Sequence, residues 1–232
     1  MIPDNHQKIF TVDRRNFIGK TFYFVAGLGF LFGPLLTAAK NVWAQTKRII
    51  LPKDTPMSSL VNRNPATLDA RNLEVIPLEK FETMGLTDHE VDLDRWRLEI
   101  AGRVQKPLRM TYSQLLTLPA IERNVLLICP GFFTNHGRWR GISVKELLRQ
   151  ADADAGATHV SFRGPEGRYA KVEQFSIDEI NSDKVFLAYQ INGQALPQKH
   201  GFPLRVVAED HYGAEWVKFV HRIEVHKVKL SQ

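Results

Sequence analysis

Four consecutive apolar residues that favour β-structure, Val125 to Ile128, run straight into the only cysteine of the chain and then into Pro130-Gly131. So short an apolar run, closed by a Pro-Gly pair, reads as a buried strand ending in a turn. Cys129 is therefore expected at the exit of a strand, where a rigid scaffold presents chemistry. A lone buried thiol is most often a small hydrophobe and nothing more. Here the turn breaks the strand at the sulfur, and Asn135, His136, Arg138 and Arg140 follow at once. A thiol becomes a ligand or nucleophile where positive charge or a metal lowers its pKa. The stretch Asn135-His136-Gly137-Arg138 is expected to line a substrate entrance, with Arg138 or Arg140 attracting an oxyanion; the plainer reading is an exposed basic loop. Ser143, with Glu146 three residues on, reads as a capping box opening a helix through Leu147 and Leu148.

Around this stretch the pattern is one of short strands. Trp96 to Ile100 alternates apolar and polar residues and stops at Gly102. Thr111 to Leu116 reads as a capped short helix, halted before Pro119. His159 to Phe162 and Val185 to Tyr189 are further strands, with a helical turn over Ser176 to Ile180 between them. Asn192-Gly193 is a strong hairpin signal. Leu204 to Ala208 and Trp216 to Val225 are expected as the last strands. Short strands with scattered helices and no regular βαβ alternation predict an α+β domain with a mixed β-sheet.

The 232 residues suggest one domain, residues 70–232, behind an extension. Residues 1–45 hold five basic and two acidic residues and so carry +3, half of the chain's formal +6. The remaining charge is too mild and too unclustered for a nucleic-acid partner. Asp13-Arg14-Arg15-Asn16-Phe17-Ile18 resembles a twin-arginine signal, with Gly19 interposed before Lys20. An uncharged stretch, residues 22–39, follows and nearly spans a hydrocarbon core as a helix. Residues 1–45 are thus expected to be a signal or a membrane anchor. The protein is expected to be exported to the periplasm, either soluble after cleavage or held by residues 22–39. Residues 46–69, interrupted by Pro52, Pro56 and Pro65, read as a linker.

Three ordered blocks carry a resemblance. Cys129, followed by Trp139-x-Gly141 and a helix, resembles the molybdenum-binding segment of the sulfite oxidase and YedY-type family of molybdopterin oxidoreductases. Asn192 to Val207 is similar to that family's N-G-x-x-L-P-x-x-H-G-x-P-x-R-x-V segment. Tyr212-Gly213-Ala214-Glu215-Trp216-Val217-Lys218-Phe219 follows at the expected distance. The resemblance covers roughly residues 70 to 228 and implies the sulfite-oxidase-like molybdopterin-binding fold.

It also implies a chemistry. The family's molybdenum is held by two dithiolene sulfurs of the pterin and one protein thiolate, which only Cys129 can supply here. The cofactor-contacting set is then Cys129, His136, His200, Arg205, Trp216, Val217 and Lys218, with Trp216 and Val217 acting through the backbone. Tyr169 lies 31 residues before His200, the spacing of a pocket tyrosine that donates to the transferred oxygen. With Cys129 and Tyr169, Arg138 of the expected substrate entrance makes up the candidate catalytic group. Phe81-Glu82-Thr83-Met84-Gly85 falls where the family has a cofactor-contacting loop richer in Asn, His or Tyr, and no ligand is assigned to it.

The implied function is two-electron oxygen-atom transfer on sulfite-like oxyanions or on S- or N-oxides. With neither a cytochrome b5-like domain nor a C-terminal dimerisation domain expected, electrons pass to or from a separate carrier, a haem-containing protein or a membrane subunit. The alternatives are a non-catalytic molybdopterin-binding partner subunit and a thiol redox protein using Cys129, the latter without a resolving cysteine.

Overall fold

The computed structural model describes residues 47–230. The expected signal or anchor, with its uncharged stretch 22–39, lies outside them. Among the described residues no helix is long and apolar enough to cross a membrane.

Strands β1 (Ile49–Ile50) and β2 (Leu68–Asp69) pair in parallel. Strands β3 (Leu98–Gly102) and β4 (Leu108–Met110) lead into helix α1 (Tyr112–Leu116). A long hairpin of β5 (Ala120–Cys129) and β6 (Phe133–Ser143) follows, continued by α2 (Val144–Gln150). Then come β7 (His159–Arg163), β8 (Val172–Ser176) and α3 (Ile177–Asn181). Strands β9 (Val185–Ile191), β10 (Gln194–Ala195), β11 (Arg205–Ala208) and β12 (Arg222–His226) complete the fold.

Two sheets result. One runs β10-β9-β6-β5, with β11 paired to β9 beside β10; the other runs β4-β3-β12-β7-β8. In the second sheet β12 lies parallel to β3 and antiparallel to β7, so the sheet is mixed. The α+β architecture with short helices is the one expected.

The continuous apolar run of β5 has a simple cause: both of its faces are covered. Val125, Leu127 and Cys129 belong to the main core, whereas Leu126 and Ile128 pack with Leu51, Leu60, Leu68 and Leu73. A strand buried on both faces has no reason to alternate. The leucines on the outer face come largely from the stretch read as a linker. That stretch is irregular, as its prolines require, and from Leu51 it packs against the hairpin.

Local signals set the element ends. Thr111 with Gln114 and Ser176 with Glu179 form complete capping boxes at α1 and α3. Ser143 does not: it is the N-cap of α2, but its hydroxyl donates to Asp183 Oδ1 at 2.5 Å. Glu146 is taken by Arg149 and Gln150 instead. Asn192 and Gly193 both adopt positive φ and join β9 to β10 by the expected two-residue turn. Trp216 to Val220, read as strand, is extended coil. Val206 donates to Val217 O at 2.8 Å and Val220 to Leu204 O at 2.9 Å, but Phe219 at φ 55° breaks the ladder between them.

Candidate active site

The β5–β6 turn follows directly from its residues. The Cys129 carbonyl accepts from the Phe132 N–H at 3.0 Å, with Pro130 and Gly131 between them and Gly131 at φ 79°. Proline followed by a positive-φ glycine is the pattern of a type II turn. It stops β5 at the cysteine, which faces inward beside Leu127 and Phe133 at the wall of a cavity of about 720 Å³. The Sγ–H donates to the Met84 thioether at 2.9 Å. Burial pushes the Cys129 thiol up, and Arg205 only partly opposes that. An activated nucleophile needs the opposite shift, so a thiol redox role on its own is disfavoured.

Arg205, at the start of β11, lies against two indoles that touch each other edge to face at 5.4 Å. Its guanidinium carbon is 5.5 Å from the Trp139 ring centre and 5.5 Å from that of Trp216. Each such contact is worth about 0.5–2 kcal/mol, the upper part of the range applying where water is excluded. Nη1 donates to the His200 carbonyl at 3.2 Å, and the buried Nε has no partner. Burial lowers the guanidinium to about 10, and the Cys129 sulfur only partly opposes that. His200 is likewise buried, its ring set edge-on against Phe81 at 6.1 Å. Its Nε2 has no partner, and burial, then the cations Arg205, Lys199 and Lys218, lower it to about 3, so it is neutral.

Lys218 enters the cavity from the chain after Trp216. Its ammonium donates to Thr83 Oγ1 at 2.7 Å, Leu86 O at 2.9 Å, Lys199 O at 2.9 Å and Met84 O at 3.0 Å. Burial first, then Arg205, lowers it to about 7. Gly201 makes this reach possible. It sits at φ 109°, and a Cβ there would lie 2.9 Å from the Lys218 Cβ. Only glycine lets the two segments approach so closely.

Of the residues read from the sequence, Cys129, Arg205, Trp216, Lys218 and Tyr169 line one cavity. Val217 and His200 do not line it and are buried. The Trp216 N–H is donated to Gly213 O and Val217 O accepts from Val206, which leaves the Trp216 carbonyl and the Val217 N–H without backbone partners among the described residues.

His136 and Arg138 are elsewhere. Cys129 pairs with Phe133 and Leu126 with His136, so strand alternation turns His136 and Arg138 to the face opposite the thiol. His136 is buried there, with Nδ1 3.0 Å from Glu74 O, and burial lowers its pKa. Arg138 pairs across the hairpin with Asn124, five residues from Cys129. That is about 17 Å along the strand. Its side chain is half exposed and lies near Glu122. The expected basic loop is strand β6.

The same alternation brings in residues not singled out. Asn135 shares the face of Cys129 and holds Glu82 at both its N–H (3.2 Å) and its carbonyl (2.8 Å). Glu82 to Leu86 all line the cavity, as do Lys171 and Glu173. Reading β6 as a strand from Phe133 would have found Asn135 by parity.

A family model described as "Oxidoreductase molybdopterin binding domain" matches residues 85–232. The chain belongs to this family. Among its relatives is the protein-methionine-sulfoxide reductase catalytic subunit MsrP of Gluconobacter oxydans, 35% identical over 147 residues, 56% of this chain and 46% of the relative. The nitrate reductase [NAD(P)H] of Hordeum vulgare is 30% identical over 179 residues, 65% of this chain and 20% of the relative. The crystal structure of the sulfane dehydrogenase SoxCD from Paracoccus pantotrophus aligns with a TM-score of 0.56 at 25% identity, over 60% of this chain and 40% of that one. The chain spans less than half the length of each. The resemblance read from the three blocks, with its fold, is thereby established, and so are the cofactor, molybdopterin, and the class, oxidoreductase.

The residues of this molybdopterin-binding domain suit that group. A pterin phosphate wants fixed donors, and a thiolate-held metal wants a soft ligand. The cavity presents one thiol and a buried guanidinium with no ion pair among the described residues, its Nε–H has no partner, and the Val217 N–H has no backbone partner among them. Cys129 would hold the metal, and Arg205, His200 and the Trp216–Val217 backbone the pterin. The group supplies two-electron redox chemistry and oxygen-atom exchange.

Proposed function

We propose that this domain reduces an uncharged S-oxide, taking electrons from a separate carrier. The observation that carries this reading is the charge of the cavity. Among the described residues its lining holds three cations, and none is left free for an oxyanion: Arg205 is buried against Trp139 and Trp216, Lys171 is paired with Glu173 at 3.2 Å, and Lys218 is held by the oxygens of Thr83, Met84, Leu86 and Lys199. The two arginines expected to attract an oxyanion, Arg138 and Arg140, lie on the far face of β6. Met84 and Tyr169 line the cavity and remain substantially exposed, and Phe132 stands exposed at the turn beside Cys129. Exposed apolar and aromatic side chains beside the thiol, with the carboxylates of Glu82 and Glu173 also in the lining, suit a thioether-like substrate better than sulfite. The likeness to a methionine-sulfoxide reductase supports the same choice.

In the net reaction the sulfoxide takes up two electrons and two protons and leaves as thioether and water. The electrons come from the carrier, a haem-containing protein or membrane subunit. The Tyr169 hydroxyl is the group of this chain proposed to donate a hydrogen bond to the departing oxygen. The test is turnover of the cofactor-loaded protein with a reduced viologen and dimethyl or methionine sulfoxide, set beside sulfite oxidation with ferricyanide. Sulfoxide-dependent oxidation of the viologen is expected; faster sulfite oxidation would overturn the reading. Export to the periplasm belongs to the same proposal, supported by Arg14-Arg15 and the uncharged stretch after them. Replacing both arginines by lysine should hold the protein in the cytoplasm, and undiminished delivery would refute that part.

A further inference from the structure

We propose that Lys218 is a positioning residue that clasps the 82–86 loop into the wall of the cofactor cavity, rather than a direct ligand of the pterin's anionic group. An ammonium has three N–H donors. Four oxygens lie within 3.0 Å of this one: Thr83 Oγ1, Met84 O, Leu86 O and Lys199 O. Every donor is therefore taken, and three of the four acceptors belong to the loop.

The loop needs such a clasp. It is irregular between the single turn Leu78–Lys80 and β3, so no ladder satisfies its carbonyls. Side chains from elsewhere do so: Asn135 at Glu82, Lys218 at Met84 and Leu86, and Gln198 at His89 O (3.2 Å). The loop's own Met84, Gly85 and Leu86 carry no side-chain hydrogen-bond donor. Their contribution to the cavity is shape and backbone placement, and Met84 reaches the Cys129 sulfur. Thr83 ties the arrangement together, since its hydroxyl accepts from Lys218 and donates to Lys199 O at 3.4 Å.

The geometry separates this role from that of an anion ligand. A planar guanidinium cannot converge on four oxygens arranged around a point, but it binds an anion at least as well as an ammonium does. Arginine at 218 would thus restore a ligand and fail as a clasp. The experiment compares Lys218→Met, Lys218→Arg and Thr83→Val with the parent, both cofactor-free and loaded. It reads amide hydrogen exchange over residues 83–88 and release of the pterin into filtrate. In cofactor-free protein Lys218→Met and Lys218→Arg should each raise loop exchange roughly tenfold or more, as the loss of charge-assisted hydrogen bonds implies. Thr83→Val, which removes one acceptor and no candidate ligand, should give a smaller rise. All three should release pterin faster when loaded. Unchanged loop exchange in cofactor-free Lys218→Met, or recovery of pterin retention in Lys218→Arg, would overturn the proposal. Thr83→Val is mild enough to fold and decides the matter if the lysine variants do not.

Discussion

Replacing Arg205 by methionine should leave the cofactor-free domain nearly as stable as before while sharply weakening its hold on the pterin. Burial lowers the guanidinium from 12.5 to about 10. A shift of that size means that keeping the charge costs roughly 3 kcal/mol. Against this stand two indole contacts at 5.5 Å, each about 0.5–2 kcal/mol. One hydrogen bond to His200 O at 3.2 Å adds about 1 kcal/mol, and the Nε contributes none. The balance is near zero. Methionine packs a polarisable chain against the indole pair and brings no charge to desolvate. The cofactor-free variant should therefore unfold within about 1 kcal/mol of the parent, a shift in Tm of about 2–4 °C in either direction at this size. In the loaded protein the variant forfeits a charge-assisted hydrogen bond of about 1.5–3 kcal/mol, so pterin retention should fall roughly ten- to hundredfold. Calorimetry on cofactor-free protein, paired with equilibrium dialysis of loaded protein, measures both. A cofactor-free destabilisation of about 3 kcal/mol or more would make Arg205 a structural residue. Undiminished retention would remove it from the cofactor site.

Cys129→Ser should abolish turnover while leaving much of the pterin bound, because Arg205 and the Trp216–Val217 backbone do not depend on the thiol; X-ray absorption at the molybdenum edge should show one sulfur fewer, and an unchanged count would refute Cys129 as the ligand. His211 stands between Glu179 Oε1 at 2.6 Å and Glu215 Oε2 at 2.7 Å, which raise it to about 9. A raised folded-state pKa stabilises fully below about pH 6.5 and is lost as pH rises through about 9. His211→Gln should therefore flatten the fall in stability over that window, by about 1–2 kcal/mol once partial solvent screening is allowed for; a parent domain whose stability does not fall between pH 6.5 and 9 would refute the pairing.

Much of the fold was legible from local signals. Asn192-Gly193, the capped helix at Thr111, the helical turn at Ser176, and the apolar run into Cys129-Pro130-Gly131 each specify their own few residues, and each stands where expected. Ser143 shows the limit: the capping-box motif was present, but Asp183, forty residues on, took the hydroxyl. Phe219 shows another, since nothing in the pattern of Trp216 to Val225 announced a positive φ that ends the pairing.

The site divided along the same line. Cys129, Arg205, Trp216 and Lys218 were readable because they recur at set positions in ordered motifs, and motif order is a property of the chain alone. Which way His136, Arg138 and Asn135 point was not, because a strand's faces are assigned only when its partner and register are known. Pairing Cys129 with Phe133 put Asn135 beside the cavity and sent His136 and Arg138 to the other side of the sheet. The lysine's role was decided later still. The carbonyls that gather around Lys218 come from Met84, Leu86 and Lys199. A loop without regular structure leaves its carbonyls to whatever donor the folded chain brings near, and that is settled by packing between segments far apart in sequence.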